Sequence, residues 1–289
     1  MAFLDLEQST EDGRPIALYQ FTLNSQVWRY TSAAEKITAD GHEWLPAAIS
    51  DDGTKQTGEI VNDAMTITAP TWIGPAQVFM SGAPSSLMQV ALFGKHEGSA
   101  DLVAVYLGEV TQINPVNAAQ ARFTCENLAS SMRRQGLRIA WQRTCPYALY
   151  DSLTCKVDKA AWAVPFFVLA VNGFDVTIVV TDPKANGYFS GGFIEWVHPI
   201  KGREYLPIDN NVAVTPLDVI GVFFEWVLTL NLLADPGDLY VGASGTAYPG
   251  CNFTPAACQA FDNYANYGGI PDLPGKSPFD GMTSGNPFF

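Results

Sequence analysis

The sequence predicts a mainly β protein: a multi-domain β-barrel or sandwich fold with a small, turn-rich C-terminal region built on four cysteines. Three observations carry that prediction. Strand-length segments with alternating side chains recur at roughly 8–12 residue spacing. Hairpin signals separate several of them, namely Asn24-Ser25, Asp40-Gly41 and Asn172-Gly173. Towards its end the chain turns to Gly, Pro, Asn and aromatics, as in Tyr267-Gly268-Gly269-Ile270-Pro271, a composition that makes turns and no core of its own.

In chain order, Ile16 to Leu23 and Gln26 to Thr31 flank the first turn and alternate as a half-buried strand demands. His42 to Pro46 follows Asp40-Gly41. Ala64 to Ala69, Ser86 to Leu92, Asp101 to Thr111 and Arg122 to Glu126 are further strands, and Leu128 to Arg134 suits a helical turn. After a first cysteine pair, Ala163 to Val171 and Phe174 to Val180 are joined by Asn172-Gly173. Phe189 to Pro199, Glu204 to Ile208, Val212 to Thr215 and Val222 to Leu232 continue the β pattern. Phe261, Tyr264 and Tyr267 step by three, which predicts a short helix starting just after Cys258 and stopping at Gly268-Gly269. The expected organisation is therefore an N-terminal β domain (1–135), a first cysteine-pair segment (136–160), a second β domain (161–245) and a C-terminal cysteine-pair segment (246–289). No internal repeat or heptad is present.

Composition bounds the function. With 289 residues and 47% apolar content the chain can bury a sizeable core. Its formal net charge of −13 repels phosphate backbones and anionic lipid. The N-terminus has neither the basic nor the apolar region of a secretory signal. Ala160 to Val171 and Val219 to Ala234 are apolar but fall short of the roughly 18–20 residues of a membrane span, so they read as buried strands and no membrane anchor is expected.

Four of the five cysteines form two distant pairs, Cys145-x9-Cys155 and Cys251-x6-Cys258. Persistent disulfides are rare in a reducing compartment, where such a pattern more often means metal binding or catalysis. Four thiolates suit Zn²⁺ or an iron–sulfur cluster. These spacings are wide for structural zinc, and a cluster tolerates wider separation. Pro146 after the first cysteine fits a cluster site weakly. Buried free thiols, and a disulfide between Cys251 and Cys258, stay open on spacing alone. Cys125, inside a strand, reads as a small core hydrophobe.

The order Cys-Pro-x2-Leu-Tyr-Asp-x3-Cys, a β domain, then Gly-Cys-x2-Thr-x3-Cys-x2-Phe-x-Asn-x2-Asn-Tyr-Gly-Gly-x-Pro-x-Leu-Pro-Gly resembles the central tail-hub proteins of long-tailed phages and gene-transfer agents. These are related in role to minor tail protein L of lambda-like phages. The hairpin around Tyr30-Thr31 and Gly41-His42-Glu43-Trp44-Leu45-Pro46 is similar to the start of such hubs. The resemblance implies a tail-hub fold and a [4Fe–4S] cluster on Cys145, Cys155, Cys251 and Cys258, with zinc as the alternative. It further implies a trimeric ring at the siphophage tail tip, assembled in the bacterial host cytoplasm. The distal tail protein and tail tube would lie above it and the central receptor-binding fibre below, with genomic DNA passing through the lumen without specific binding. The cluster would act as a structural staple. Closing the loop from Cys155 to Cys251 is worth on the order of 4–5 kcal/mol by analogy with a disulfide.

Other chemistry is thinly represented. His42, His96 and His198 lie in no metalloprotease or Gly-x-Ser-x-Gly pattern, and His198 reads as structural. A Cys145–His198 hydrolase would need nucleophile and base adjacent in space. The carboxylates are scattered through polar turns, and Lys201-Gly202-Arg203 reads as a loop tip. Arg143 reads either as a donor to cluster sulfur or as a surface arginine. No catalytic residue is assigned. A tail-associated peptidoglycan hydrolase or peptidase, and a cytosolic iron–sulfur redox protein, are the alternatives.

Overall fold

The computed structural model describes residues 7–8, 15–53, 64–80, 82–128, 141–182, 184–216, 226–233 and 236–273. Among these the chain is mainly β and divides into two compact units, residues 1–135 with 197–204, and residues 136–196 with 205–289.

The first unit is built on β1 (Pro15–Leu23), β2 (Gln26–Thr31), β3 (Ile37–Ala39), β4 (His42–Pro46), β5 (Ser50–Asp51), β6 (Met65–Pro70), β7 (Met88–His96), β8 (Val103–Pro115) and β9 (Gln120–Asn127), with a short helix α1 (Gly74–Met80). They form one nine-stranded sheet in the order β3-β4-β2-β1-β7-β8-β9-β6-β5. The β1–β2 hairpin turns at Asn24, which adopts the left-handed backbone (φ 52°) that Asn tolerates. Both faces of β1 are covered. Tyr19, Phe21 and Leu23 join Ile67, Met88 and Phe123 in the main core, while Leu18 on the other face packs with Ala39 and Trp44. Phe21 and Phe123 lie 5.4 Å apart, ring to ring. Cys125 on β9 is fully buried in this core, opposite Met65 and Val110, and burial pushes its thiol up to about 12.

Two strands run longer than the alternation suggested. β7 continues to His96 through a register shift at Leu92/Phe93, which re-phases the strand so that Phe93 meets Trp44 at 5.9 Å. β8 likewise shifts register at Val110/Gln112 and runs on to Pro115. In this unit Lys201 is buried, its Nζ donates to the Gly82 carbonyl at 2.7 Å, and its carbonyl accepts from Asn24 Nδ2. Of the 201–203 run expected as a loop tip, only Lys201 lies in the turn, with its side chain held inside, while Gly202 and Arg203 open the following strand.

The second unit is a closed six-stranded barrel. Its strands are β10 (Val164–Asn172), β11 (Asp175–Val180), β12 (Phe193–His198), β13 (Gly202–Pro216), β14 (Trp226–Leu232) and β15 (Ser244–Tyr248), in the order β10-β11-β14-β13-β12-β15. Alternate residues fill the interior: Phe166 and Val168, Val176 and Ile178, Leu228 and Leu230. Gly245 leaves the room that the Phe166 ring takes, since a Cβ there would lie 2.6 Å from Phe166 Cζ. Closure leaves no strand edge in the barrel.

Here the structure corrects several boundaries. The β10–β11 turn sits at Gly173-Phe174, one residue later than the Asn172-Gly173 signal, with Asn172 already paired to Asp175. Glu204–Ile208 and Val212–Thr215 are one strand of 15 residues, β13. The intervening Asp-Asn-Asn is absorbed by a register shift at Ile208/Asn210, and Asn211 is fully buried, accepting from Phe189 N at 2.7 Å and donating to the Ala185 carbonyl at 3.0 Å. The strand expected from Phe189 begins only at Phe193, after a turn. Expected strand residues 222–225 and expected helical residues 129–134 lie outside the described residues. No helix among the described residues is long and apolar enough to cross a membrane.

Candidate four-cysteine site

All four paired cysteines lie in the second unit, on two loops that flank the barrel strands in sequence. The first loop carries Cys145 and Cys155. Its shape is set locally by Asp151, whose carboxylate accepts from Thr154 N at 2.8 Å and from the Thr154 hydroxyl, and whose carbonyl accepts from Lys156 N at 2.7 Å. The two bonds from Thr154, hydroxyl first, hold the Asp151 carboxyl below its ordinary range.

The second loop carries Cys251 and Cys258. Cys258 sits on a one-and-a-half-turn helix, α2 (Pro255–Ala260). Thr254 caps it by accepting from Ala257 N at 3.3 Å, and Pro255 follows at the first helical position. The helix expected to start after Cys258 therefore starts before it and ends by Phe261. Tyr264–Asn266 forms only a 3₁₀ turn, with Tyr264 and Tyr267 stacked at 6.0 Å.

The two loops are laced together. Cys145 N donates to the Phe253 carbonyl at 2.8 Å, and Ile270 N donates to the Gln142 carbonyl at 2.9 Å. Tyr267 Oη donates to the Arg143 carbonyl at 2.6 Å. Arg143 donates its Nε to the Leu273 carbonyl at 2.7 Å, so this side chain ties down the C-terminal segment. Two glycines make the approach close enough. A Cβ on Gly269 would lie 2.5 Å from the Arg143 carbonyl oxygen, and one on Gly268 would lie 2.3 Å from the Tyr147 ring.

Tyr150 is the aromatic centre of this region. Its hydroxyl donates to the Pro249 carbonyl at 2.8 Å, and its ring meets Phe193, Tyr248 and Phe261 edge-on at 5.9–6.3 Å. Beside it, Lys159 lies over the rings of Phe193, Tyr205 and Tyr248 and pairs with Glu195. Backbone strain also concentrates here. Among the described residues six that are not glycine take left-handed backbone, and four of them, Tyr150, Lys156, Phe253 and Asp262, belong to the two cysteine loops. Such conformations cost of order 1–3 kcal/mol each and persist where the surroundings over-determine them.

Sulfur chemistry follows from this packing. Cys145, Cys155, Cys251 and Cys258 are all free thiols, and Cys258 is buried. Phe253 N donates to Cys251 Sγ at 3.3 Å. The Asn263 side-chain amide donates to the Cys155 carbonyl and reaches Cys155 Sγ at 3.7 Å. Burial, and then the charge of the neighbouring sulfurs, hold Cys251 and Cys258 above the ordinary thiol range. For Cys258 those neighbours are the other three cysteines of the set. A bound cation would reverse that repulsion.

Among the described residues no three His, Cys, Asp or Glu side chains gather closely enough to hold a single metal ion. A tetrahedral zinc needs four donors at one point. In a cubane cluster each thiolate binds a different iron, so the donors stand further apart. The donor set is four thiols, two of them with N–H donors, a chemistry that suits either a zinc ion or an iron–sulfur cluster. Cys125 belongs to the core of the other unit. Asn263, Tyr150 and the glycines were not singled out from the sequence for these roles, because their partners are remote in the chain: Asn263 and Cys155 are 108 positions apart. His198 Nδ1 accepts from Ile200 N and Lys201 N, which makes it a turn cap.

Comparison with known proteins adds three likenesses. A family model described as phage conserved hypothetical protein BR0599 matches residues 187–277, a stretch holding β12 to β15 and the second cysteine pair. An uncharacterized protein of Xylella fastidiosa (strain 9a5c) is 24% identical over 164 residues, 53% of this chain and 34% of that protein. The match thus spans about a third of the length of that curated relative. Among solved structures, a chain from the virion of a native gene transfer agent particle superposes with a TM-score of 0.75 at 14% identity, covering 98% of this chain and 94% of that one. The mainly β fold, large sheet and barrel together, is therefore one found in a virion particle.

Proposed function

We propose that this chain is a non-enzymatic structural virion protein, the central hub at the distal tip of a siphophage-type tail, stapled by an iron–sulfur cluster. One observation carries the reading: the fold correspondence with a gene transfer agent virion chain extends over nearly the whole of both chains. The phage family likeness over 187–277 supports it. In this reading copies of the chain close into a trimeric ring through heterologous contacts. The distal tail protein and tail tube join one side, the receptor-binding fibre joins the other, and an acidic lumen lets DNA pass without sticking.

Cys145, Cys155, Cys251 and Cys258 would hold the [4Fe–4S] cluster, which supplies cross-linking between loops separated by the barrel. His198 Nδ1 caps a turn, and zymography with the purified chain tests the hydrolase alternative. The position is tested on particles produced with this chain. Mass spectrometry should find it in purified particles, and gold-labelled antibody should mark the distal tail end. Particles without the chain, or label confined to the head, overturn the assignment. Anaerobic purification should yield about four iron and four acid-labile sulfide per chain. Zinc alone would replace the cluster and leave the fold unchanged.

A further inference from the structure

Asn263 occupies a singular place between the cysteine loops. It is buried, at 8% exposure. Its backbone N donates to the Cys258 carbonyl at 3.0 Å; in the metal-free chain its own carbonyl also accepts from the Cys258 thiol at 3.1 Å, a bond that ligation of Cys258 would replace. Its side chain points the other way, to the loop of the first pair, where Nδ2 meets both the carbonyl and the sulfur of Cys155. The amide's orientation is set by its other end. Asn266 Nδ2 donates to Asn263 Oδ1 at 2.6 Å, and Asn266 N donates to the Asn263 carbonyl at 3.0 Å. Flipping the amide would set two NH₂ groups against each other and two carbonyl oxygens against each other. One residue thus links a cysteine of the second pair to a cysteine of the first, with its amide nitrogen within reach of the Cys155 sulfur.

We infer that Asn263 is a positioning residue of the cluster site: it locks the Cys155 loop onto the Cys258 loop, and its N–H stabilises negative charge on the Cys155 sulfur. The inference rests on the cluster reading above. Partners of this kind orient metal ligands, and their loss typically costs ~10–100-fold in metal affinity. Hydrogen bonds to ligand sulfur also favour the more reduced, more negative cluster and so raise its potential.

The experiment uses the full-length chain purified anaerobically. Asn263→Asp keeps the oxygen that Asn266 needs and removes the donor to Cys155. Asn266→Ala keeps the donor and releases its orientation. Three quantities are read: iron and sulfide per chain, the rate of cluster loss to a ferrous chelator, and the midpoint potential in a dithionite titration followed by electron paramagnetic resonance. Asn263→Asp should lose its cluster about 10–100-fold faster and titrate at a more negative potential. Asn266→Ala should move both in the same direction by less, and it carries the test should Asn263→Asp fold poorly. Variants that retain iron, chelator resistance and potential overturn the inference. Faster loss at an unchanged potential overturns the sulfur-donor role. A wild-type chain free of iron and sulfide overturns the cluster reading itself.

Discussion

Gly269→Ala offers a sharp test of how the two cysteine loops are held. A Cβ at this position would lie 2.5 Å from the Arg143 carbonyl oxygen and 2.7 Å from the Thr144 carbonyl carbon. Both are backbone atoms, so no rotamer change relieves the contact, and the strands of the clamp must separate. The bonds beside it then fail together: Ile270 N to the Gln142 carbonyl at 2.9 Å, and Tyr267 Oη to the Arg143 carbonyl at 2.6 Å. At about 1 kcal/mol net each, their loss opens the clamp by about 2 kcal/mol. That corresponds to roughly 30-fold in the open-to-closed ratio, since every 1.4 kcal/mol is tenfold. Native-state hydrogen exchange followed by mass spectrometry reads this locally. Exchange in the peptide covering 264–273 should accelerate by about that factor, while β10 and β11 keep their protection. Unchanged protection of 264–273 in Gly269→Ala would refute the argument that backbone proximity, and not cysteine chemistry alone, closes the site.

Other outcomes follow from the same geometry. Cys125, fully buried with its thiol raised to about 12, should resist a thiol reagent at pH 8 in the folded apoprotein and react only on unfolding; labelling sites mapped by peptide mass would reveal otherwise. Tyr150→Phe keeps the edge-on ring contacts and strands the Pro249 carbonyl, so urea unfolding of the barrel should show a loss of about 1 kcal/mol, and no loss would remove the hydroxyl from the account. Lys159→Met leaves the Glu195 carboxylate without this ammonium in an aromatic surround and should cost roughly 2 kcal/mol in the same assay, with Lys159→Arg costing less.

What the sequence could reveal depended on how local each determinant was. Asn24 and the Asp40-Gly41 pair carry their own turn preference, and both sit in the left-handed backbone that makes those turns. The alternation in β1 and β6 is equally self-contained. β13 was hidden because its Asp209-Asn210-Asn211 run looks like a break. Only the folded chain supplies the partners of Asn211 and the register shift that carries the strand through. The misplaced helix is instructive in another way. In the structure Thr254 and Pro255 take the cap and first helical position, whereas the three-residue spacing of Phe261, Tyr264 and Tyr267 points to a later start. Those rings serve separate contacts, Phe261 against Trp162 at 4.6 Å and Tyr264 against Tyr267. At the site itself, residue type marked the four cysteines. Asn263 could not be marked, because an asparagine's role depends on what stands opposite it, and Cys155 stands opposite only after the barrel has formed.

The barrel between the cysteine pairs imposes a schedule on synthesis. Cys155 leaves the ribosome about 96 residues ahead of Cys251, which at ~5–20 residues per second is a wait of about 5–20 s. Throughout that interval the first two thiols stand in a nascent chain that lacks their partners, their N–H donor from residue 263 and the glycine clamp at 268–269. The site can be completed only as the last stretch emerges, so any inserted group arrives after translation of the barrel. Truncated chains ending before Cys251 would carry the barrel strands without the second cysteine loop and its lacing.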